Sequence, residues 1–296
     1  MQLYTINTGF FKLDGGAMFG VVPKSLWNKI HPADENNLCT WAMRCLLIED
    51  GGRLILVDNG IGDKQDAKFL SHYHLHGNDS LDKSLAAHGF YRDDITDVLL
   101  THLHFDHCGG SIIREGDRLL PAFKNAVYWS NERHWKWATE PNDREKASFL
   151  KENILPIQAS GQLQFVAPPD PGNTRLMGPG ELASIDNVII PDLSVRLANG
   201  HTDAMMLPQI RYKGKTIVFM ADLLPSVGHI PLPYVMAYDM FPLTTLTEKR
   251  SFWQEAAEGN YILFLEHDPV NECCLLQSTE KGIRAGETFK LNIVAS

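Results

Sequence analysis

Five cysteines in 296 residues, Cys39, Cys45, Cys108, Cys273 and Cys274, are too few and too scattered for a disulfide framework, and none forms a C-x-x-C pair suited to a zinc knuckle. They read as reduced thiols in a reducing compartment. The stretch 1–11 lacks a basic start followed by an apolar core, and no later run is long enough to span a bilayer. A soluble, cytoplasmic chain with no membrane partner is therefore expected. Clustered Lys and Arg are missing too: the net charge is −9, which offers nucleic-acid phosphates no footprint. There is no internal repeat and no low-complexity tract. The length accommodates one large domain or two small ones and leaves a homodimer open.

What is present is concentrated in Thr101-His102-Leu103-His104-Phe105-Asp106-His107-Cys108-Gly109-Gly110, directly after the apolar run Val98-Leu99-Leu100. Three imidazoles and a carboxylate crowded at the end of a buried strand read as a metal-binding loop. In extended backbone alternate side chains point the same way, so His102 and His104 can close on one ion, and Asp106 continues that side until the chain turns. His107 faces elsewhere, which suggests a second ion served by Asp106 and His107. The two glycines mark a sharp bend and the start of a helix close to the metals. Cys108 reads as a small buried apolar neighbour.

This loop resembles the HxHxDH motif of the metallo-β-lactamase-fold hydrolases. Three later segments extend the likeness: Gly200-His201-Thr202, Phe219-Met220-Ala221-Asp222 and Leu263-Phe264-Leu265-Glu266-His267. The resemblance implies a four-layer αββα sandwich built by residues 1–296 as a single domain, where periodicity alone gives only mixed α and β. It implies that His102, His104 and His201 hold one divalent ion, that Asp106, His107 and His267 hold another, and that Asp222 bridges them. Zinc is the first expectation; manganese, iron and cobalt suit the same ligands. Asp58 matches a family position that orients metal ligands by accepting the far N–H of a ligating His. The stretch Asp14-Gly15-Gly16-Ala17-Met18-Phe19-Gly20-Val21-Val22-Pro23-Lys24 resembles the quorum-quenching N-acyl-homoserine-lactone lactonases of the YtnP-like type. For Met18 and Phe19 that likeness leaves two readings side by side, an apolar wall of the substrate pocket or packing within a hairpin; Phe105 of the loop is expected beside the substrate.

Two ions roughly 3.5–4 Å apart share a water and lower its pKa towards ~7. The resulting bridging hydroxide would open a lactone or a carboxylic ester while the ions hold the developing oxyanion. Asp222 sits where a proton passes to the leaving alkoxide, and Asp106 acts through the second ion. The expected partner is a small-molecule ester or lactone, with an N-acyl-homoserine lactone first. Two departures stand out. Relatives with HTPGH are matched here by His201-Thr202-Asp203-Ala204-Met205, and the lactonase Tyr three residues past the bridging Asp is replaced by Pro225. His229 is the expected replacement donor, and Tyr238 the second. The alternatives are a phosphotriester or aryl-ester hydrolase of the methyl-parathion-hydrolase kind, and a non-haem iron oxidoreductase on the same fold.

Around these residues, period and turn chemistry predict strands over 3–8, 41–49 and 53–57, the last two joined by Asp50-Gly51-Gly52, and a glycine-interrupted hairpin over 10–22. His72, His74 and His76 also alternate, but no apolar strand leads into them and no carboxylate follows; they read as a solvated connector. Helices are predicted over 81–88, from an Asn131 cap to 138, over 144–154 and over 244–258. The middle two resemble the insert that covers the active-site edge in lactonase-like relatives, with Trp135, Trp137 and Phe149 as core contacts. The Pro- and Gly-rich stretch 168–179 reads as a joint between two halves of one fold. Strands are expected over 188–190, 195–197, 207–212, 216–220 and 261–265, with closing strands from 283 to 294.

Overall fold

The runs Leu54-Ile55-Leu56-Val57 and Val98-Leu99-Leu100 are too continuously apolar for a strand with one wet face, and they become neighbouring parallel strands buried on both sides. The computed structural model describes residues 1–166, 182–186 and 188–295. The stretch 168–179, expected to join the two halves, lies outside the described residues. Contacts divide the chain into two compact units, Met1–Phe10 with Met43–Ala167 and Ala295–Ser296, and Phe11–Ala42 with Pro168–Val294.

The first unit carries β1 (Gln2–Asp14), β2 (Leu38–Asp50), β3 (Arg53–Val57), β4 (Asp97–Leu99), β5 (Ile112–Glu115), β6 (Arg118–Pro121), β7 (Val127–Ser130) and β8 (Leu163–Phe165). The chain leaves this unit within β1, after Phe10, and returns within β2, at Met43. Sheet order is β1-β2-β3-β4-β7-β8, and β5 pairs with β6 alone. The β2–β3 hairpin closes as expected: Asp50 faces Arg53, and Gly51 and Gly52 take φ of 54° and 84°, the left-handed pair that a two-residue hairpin turn requires. Strands β3, β4 and β7 are parallel, so Asp58, the His102 loop and Asn131 all leave the sheet at one edge. Leu47, Leu56, Val98, Phe123, Tyr128 and Ile157 are among the fully buried residues of its core. The helix Leu81–Ala87 buries Leu81 and Leu85, takes Ser80 as its cap and stops before Gly89, as its pattern predicts.

The second unit contains β9 (Ala183–Ile185), β10 (Leu193–Ala198), β11 (Met205–Tyr212), β12 (Lys215–Phe219), β13 (Ile262–Phe264), β14 (Cys273–Thr279) and β15 (Gly282–Phe289), in the order β15-β14-β13-β12-β11-β10-β9. Strands β10, β11 and β12 alternate in direction and β13 runs parallel to β12, so β10, β12 and β13 point the same way. His201, Asp222 and His267 follow those three strands and emerge at one edge. The helix Pro242–Glu258 also belongs here, with Pro in its first turn and Gly259 at its end. The chain is mixed α/β, with a large sheet and helices in each unit, in keeping with the sandwich expectation. No helix of the described residues is long and apolar enough to cross a membrane, and all five cysteines are buried free thiols.

Four expectations fail locally. Residues 10–22 are not a hairpin: β1 continues to Asp14, whose Oδ1 accepts from Ala17 N at 2.8 Å and starts the helix Gly15–Phe19. The helix expected over 144–154 begins only at Lys151, because Asn142 Oδ1 takes the backbone N–H of Arg144 and of Glu145 into a turn. Residues 188–190 bend instead of extending, with Ile189 at φ 65°. The tail is extended only to Phe289 and ends in the helical turn Asn292–Ala295.

The turn after β10 keeps a left-handed residue where the HTPGH pattern has Gly: Ala204 takes φ 57° and is fully buried. Its Cβ costs about 1–2 kcal/mol in that conformation. Ala204→Gly should therefore raise the unfolding free energy by about 1 kcal/mol, read from the urea midpoint at constant m value.

Candidate metal centre

In the first unit the ligand loop is organised by Asp58, at the end of β3. Thr101 N donates to Asp58 Oδ1 at 2.8 Å and Thr101 Oγ1 donates to Oδ2 at 2.6 Å. The threonine oxygen, its proton committed to Asp58, is left to accept from His102 Nδ1 at 3.1 Å. His104 Nε2 donates to Glu145 Oε1 at 2.9 Å. The remaining nitrogens, His102 Nε2 and His104 Nδ1, then face each other 3.0 Å apart. Phe105–Cys108 is already helical, so Asp106 and His107 leave on a helical turn and not on an extended continuation of the loop. His107 Nδ1 donates to Asp58 Oδ2 at 3.1 Å, and its Nε2 lies 3.8 Å from Asp106 Oδ2. The glycines serve close approach: a Cβ on Gly109 or Gly110 would collide with the backbone of Ile61 or Asn59, and Asn59 N donates to His107 O at 2.9 Å.

In the second unit Asp222 follows Ala221, held at φ 41°, a strained backbone for a non-glycine residue. His201 Nδ1 donates to Asp239 Oδ1 at 2.9 Å, and His267 Nδ1 donates to Ala42 O at 2.8 Å. Their other nitrogens both turn to Asp222: His201 Nε2 is 3.1 Å from Oδ2 and His267 Nε2 is 3.1 Å from Oδ1. Glu248, on the helix Pro242–Glu258, accepts from Asn199 N at 2.7 Å and from Gly200 N at 3.1 Å, which fixes the approach to His201. Burial pushes the Glu248 carboxyl up to about 7.

These bonds settle where the lone pairs are. A carbonyl or carboxylate oxygen only accepts, so His104, His107, His201 and His267 each carry a proton on the far nitrogen, and in the neutral ring the inward nitrogen holds the lone pair. Two acceptors facing one another at 3.0–3.1 Å repel unless a positive charge lies between them. A proton on His201 meets part of that demand: burial opposes its charge, but Asp222 and Asp239 outweigh burial and raise the group to about 10. Imidazole nitrogens and carboxylate oxygens in this disposition also suit a divalent metal ion. His102, His104, His107, His201, His267, Asp58, Asp106 and Asp222 all belong to buried clusters able to bind metal.

The other residues singled out by sequence fare differently. Met18 and Phe19 are buried; Phe19 stacks on Trp27 at 5.3 Å and on His229 at 4.5 Å between ring centroids. His229 has both nitrogens engaged: Nε2 donates to Met18 O and Nδ1 accepts from Ser226 Oγ, each at 2.9 Å, while Ser226 Oγ accepts from His31 Nε2 at 2.9 Å. Burial holds His229 neutral, down to about 3. Neither nitrogen is left to donate to a substrate carbonyl, so the expectation that His229 replaces the lactonase Tyr gives way to a structural role. Phe105 packs edge-on to Phe69 and, at 4.6 Å, against Tyr73. Tyr238 is 37% exposed. Cys108 Sγ donates to Leu103 O at 3.3 Å, and burial pushes its thiol up to about 12. Trp135 and Phe149 are core residues as expected, and the Trp137 indole donates to Glu145 at 2.7 Å. His72, His74 and His76 are exposed. Sequence reasoning missed Glu145, Asp239 and Glu248, which lie dozens of positions from the histidines or loops they hold and in no local motif.

Solved structures align over almost the whole chain. A probable metal-dependent hydrolase from Staphylococcus aureus has a TM-score of 0.82 at 27% identity, covering 97% of this chain and 98% of its own. AidC, a dizinc quorum-quenching lactonase, aligns at 0.76 and 19% identity, with 97% and 95% covered. A quorum-quenching N-acyl homoserine lactone lactonase aligns at 0.65 and 19% identity, with 90% and 92% covered. The two lactonases are likenesses of fold. No curated protein sequence matches the chain. Residues 44–258 match the metallo-beta-lactamase superfamily and include the HxHxDH loop, His201 and Asp222, so the chain belongs to that superfamily.

Proposed function

We propose that the protein is a binuclear metal-dependent hydrolase that opens a lactone or carboxylic ester, with an N-acyl-homoserine lactone as the first candidate substrate. In this reading His102, His104 and His201 hold one divalent ion, Asp106, His107 and His267 hold the other, and Asp222 bridges them. Zinc is the expected metal, and residues 1–296 act as one domain. The observation that carries the reading is Asp222, whose two oxygens each meet the inward nitrogen of a different imidazole at 3.1 Å, the disposition of a carboxylate shared by two cations. The fold likeness to a dizinc lactonase supports it. Five buried reduced thiols agree with a cytoplasmic location.

Divalent ions bound there supply a water that ionises near neutral pH and an electrophilic hold on a carbonyl oxygen. The protein's own part is orientation and proton handling. Far-side acceptors hold the rings, and Asp222 would take the proton given up by the attacking water oxygen and pass it to the alkoxide oxygen released on ring opening. Pro225 offers no donor to the substrate carbonyl, and His229 is engaged elsewhere. Tyr238 is the phenol that takes over this donation. Met240 N donates to His201 O at 3.0 Å and Phe241 N to Gly200 O at 2.8 Å, which fastens the Tyr238 segment to the His201 loop.

The deciding experiment is metal analysis of the purified protein, followed by assay of the same sample on a lactone, an aryl ester and a phosphotriester. Two divalent ions per chain and turnover of the lactone or ester are expected. Turnover of the phosphotriester alone would replace the substrate reading, and flavin-coupled oxygen consumption would replace hydrolysis altogether. Asp106→Ala should bind one ion per chain with an unchanged circular dichroism spectrum, and its kcat should fall on the order of a thousandfold or more. Tyr238→Phe should lower kcat/KM roughly 3- to 10-fold, the worth of one neutral hydrogen bond, with metal content unchanged.

A further inference from the structure

We propose that Glu145 is a positioning residue that grips the His104 ring by its far nitrogen, so that Nδ1 is presented beside His102 Nε2 as a metal ligand. The proposal rests on the metal-site reading given above. Glu145 lies in the stretch 131–149, which follows β7 and so emerges at the same sheet edge as the ligand loop. Three bonds join this stretch to three consecutive residues of that loop. Leu103 N donates to His134 Nε2 at 2.9 Å, His104 Nε2 donates to Glu145 Oε1 at 2.9 Å, and Phe105 N donates to Ser148 O at 3.0 Å. The first and third set the path of the backbone. Of the three, the second acts on the ring, against which Phe149 also packs at 4.9 Å.

Glu145 is itself held in place. Trp137 Nε1 donates to Oε2 at 2.7 Å, Asn142 Nδ2 donates to the same oxygen at 3.3 Å, and Asn142 Oδ1 accepts from the Glu145 backbone at 3.1 Å. The residue is 2% exposed, and both carboxylate oxygens are committed, one to imidazole and one to indole. An amide in its place would turn an NH2 towards one of two N–H donors. A carboxylate on the far N–H both fixes the ring and makes the ligating nitrogen more basic, and removing such a partner lowers metal affinity about 10- to 100-fold. A fold-filling role would predict no change in affinity.

The test uses Glu145→Ala and the pair Trp137→Phe/Glu145→Gln, in which loss of the short indole bond leaves only the 3.3 Å contact of Asn142 on that side, so that the amide can turn its oxygen to His104. Zinc affinity is measured by chelator competition, and the histidine side chains of the metal-free protein are read by 1H–15N NMR. Glu145→Ala should bind one zinc ion about 10- to 100-fold more weakly and lose the protected Nε2–H signal of His104. The paired variant should recover part of both. Parental zinc affinity in Glu145→Ala, a His104 signal that survives the substitution, or a paired variant no better than alanine would each overturn the proposal. Should Glu145→Ala not fold, the paired variant against Trp137→Phe alone decides the matter. If the parent takes up no divalent ion, the metal reading fails, while the His104 signal still shows whether Glu145 grips the ring.

Discussion

An imidazole can give a lone pair to a cation only if its proton is placed on the other nitrogen, and this protein provides an acceptor for that proton at every ligand histidine of the proposed site. Thr101 serves His102, Glu145 serves His104, Asp58 serves His107, Asp239 serves His201 and a backbone carbonyl serves His267. The acceptors are demanding to assemble, since each is a buried polar group that has to be matched in turn. Asp58 answers three donors at once: one carboxylate accepts from a backbone amide, a hydroxyl and a ring. Parallel strand directions make the assembly possible, because they deliver loops to a common edge in each unit.

The donor-rich part of this arrangement is legible in the sequence because it is local. HxHxDH, GHT and the two strand-end segments place chemistry directly after apolar runs, and most strands lie within a few residues of where alternation puts them. The acceptors are not legible. Glu145 and Asp239 act across 41 and 38 positions, through a turn and a loop whose conformations no periodicity encodes. The same limit explains the misplaced helix start at Lys151, since the Asn142 side chain diverts the backbone before helix can form. In 10–22 two glycines suggest a turn, but a capping Asp outweighs them and begins a helix.

The lactonase-like stretch near Met18 carries over as packing. Phe19 is clasped between Trp27 and His229, and the chain from His31 through Ser226 and His229 to the Met18 carbonyl runs its protons in one direction. Each link donates to the next, and burial keeps both imidazoles neutral. Lys249 closes the same region by donating to the carbonyls of His229 and Tyr234 at 2.6 and 2.9 Å. Met18 and Phe19 thus sit in packed surroundings tied by hydrogen bonds to the segment 226–234.

The passage of the chain through β1 and β2 bears on how the molecule can be taken apart. Phe11–Ala42 is covalently flanked by the first unit yet groups with Pro168–Val294 in the second. Neither unit is one uninterrupted length of polypeptide, so no single scission or truncation separates them, and a ribosome has released most of the N-terminal half before the partner sequence for Phe11–Ala42 exists.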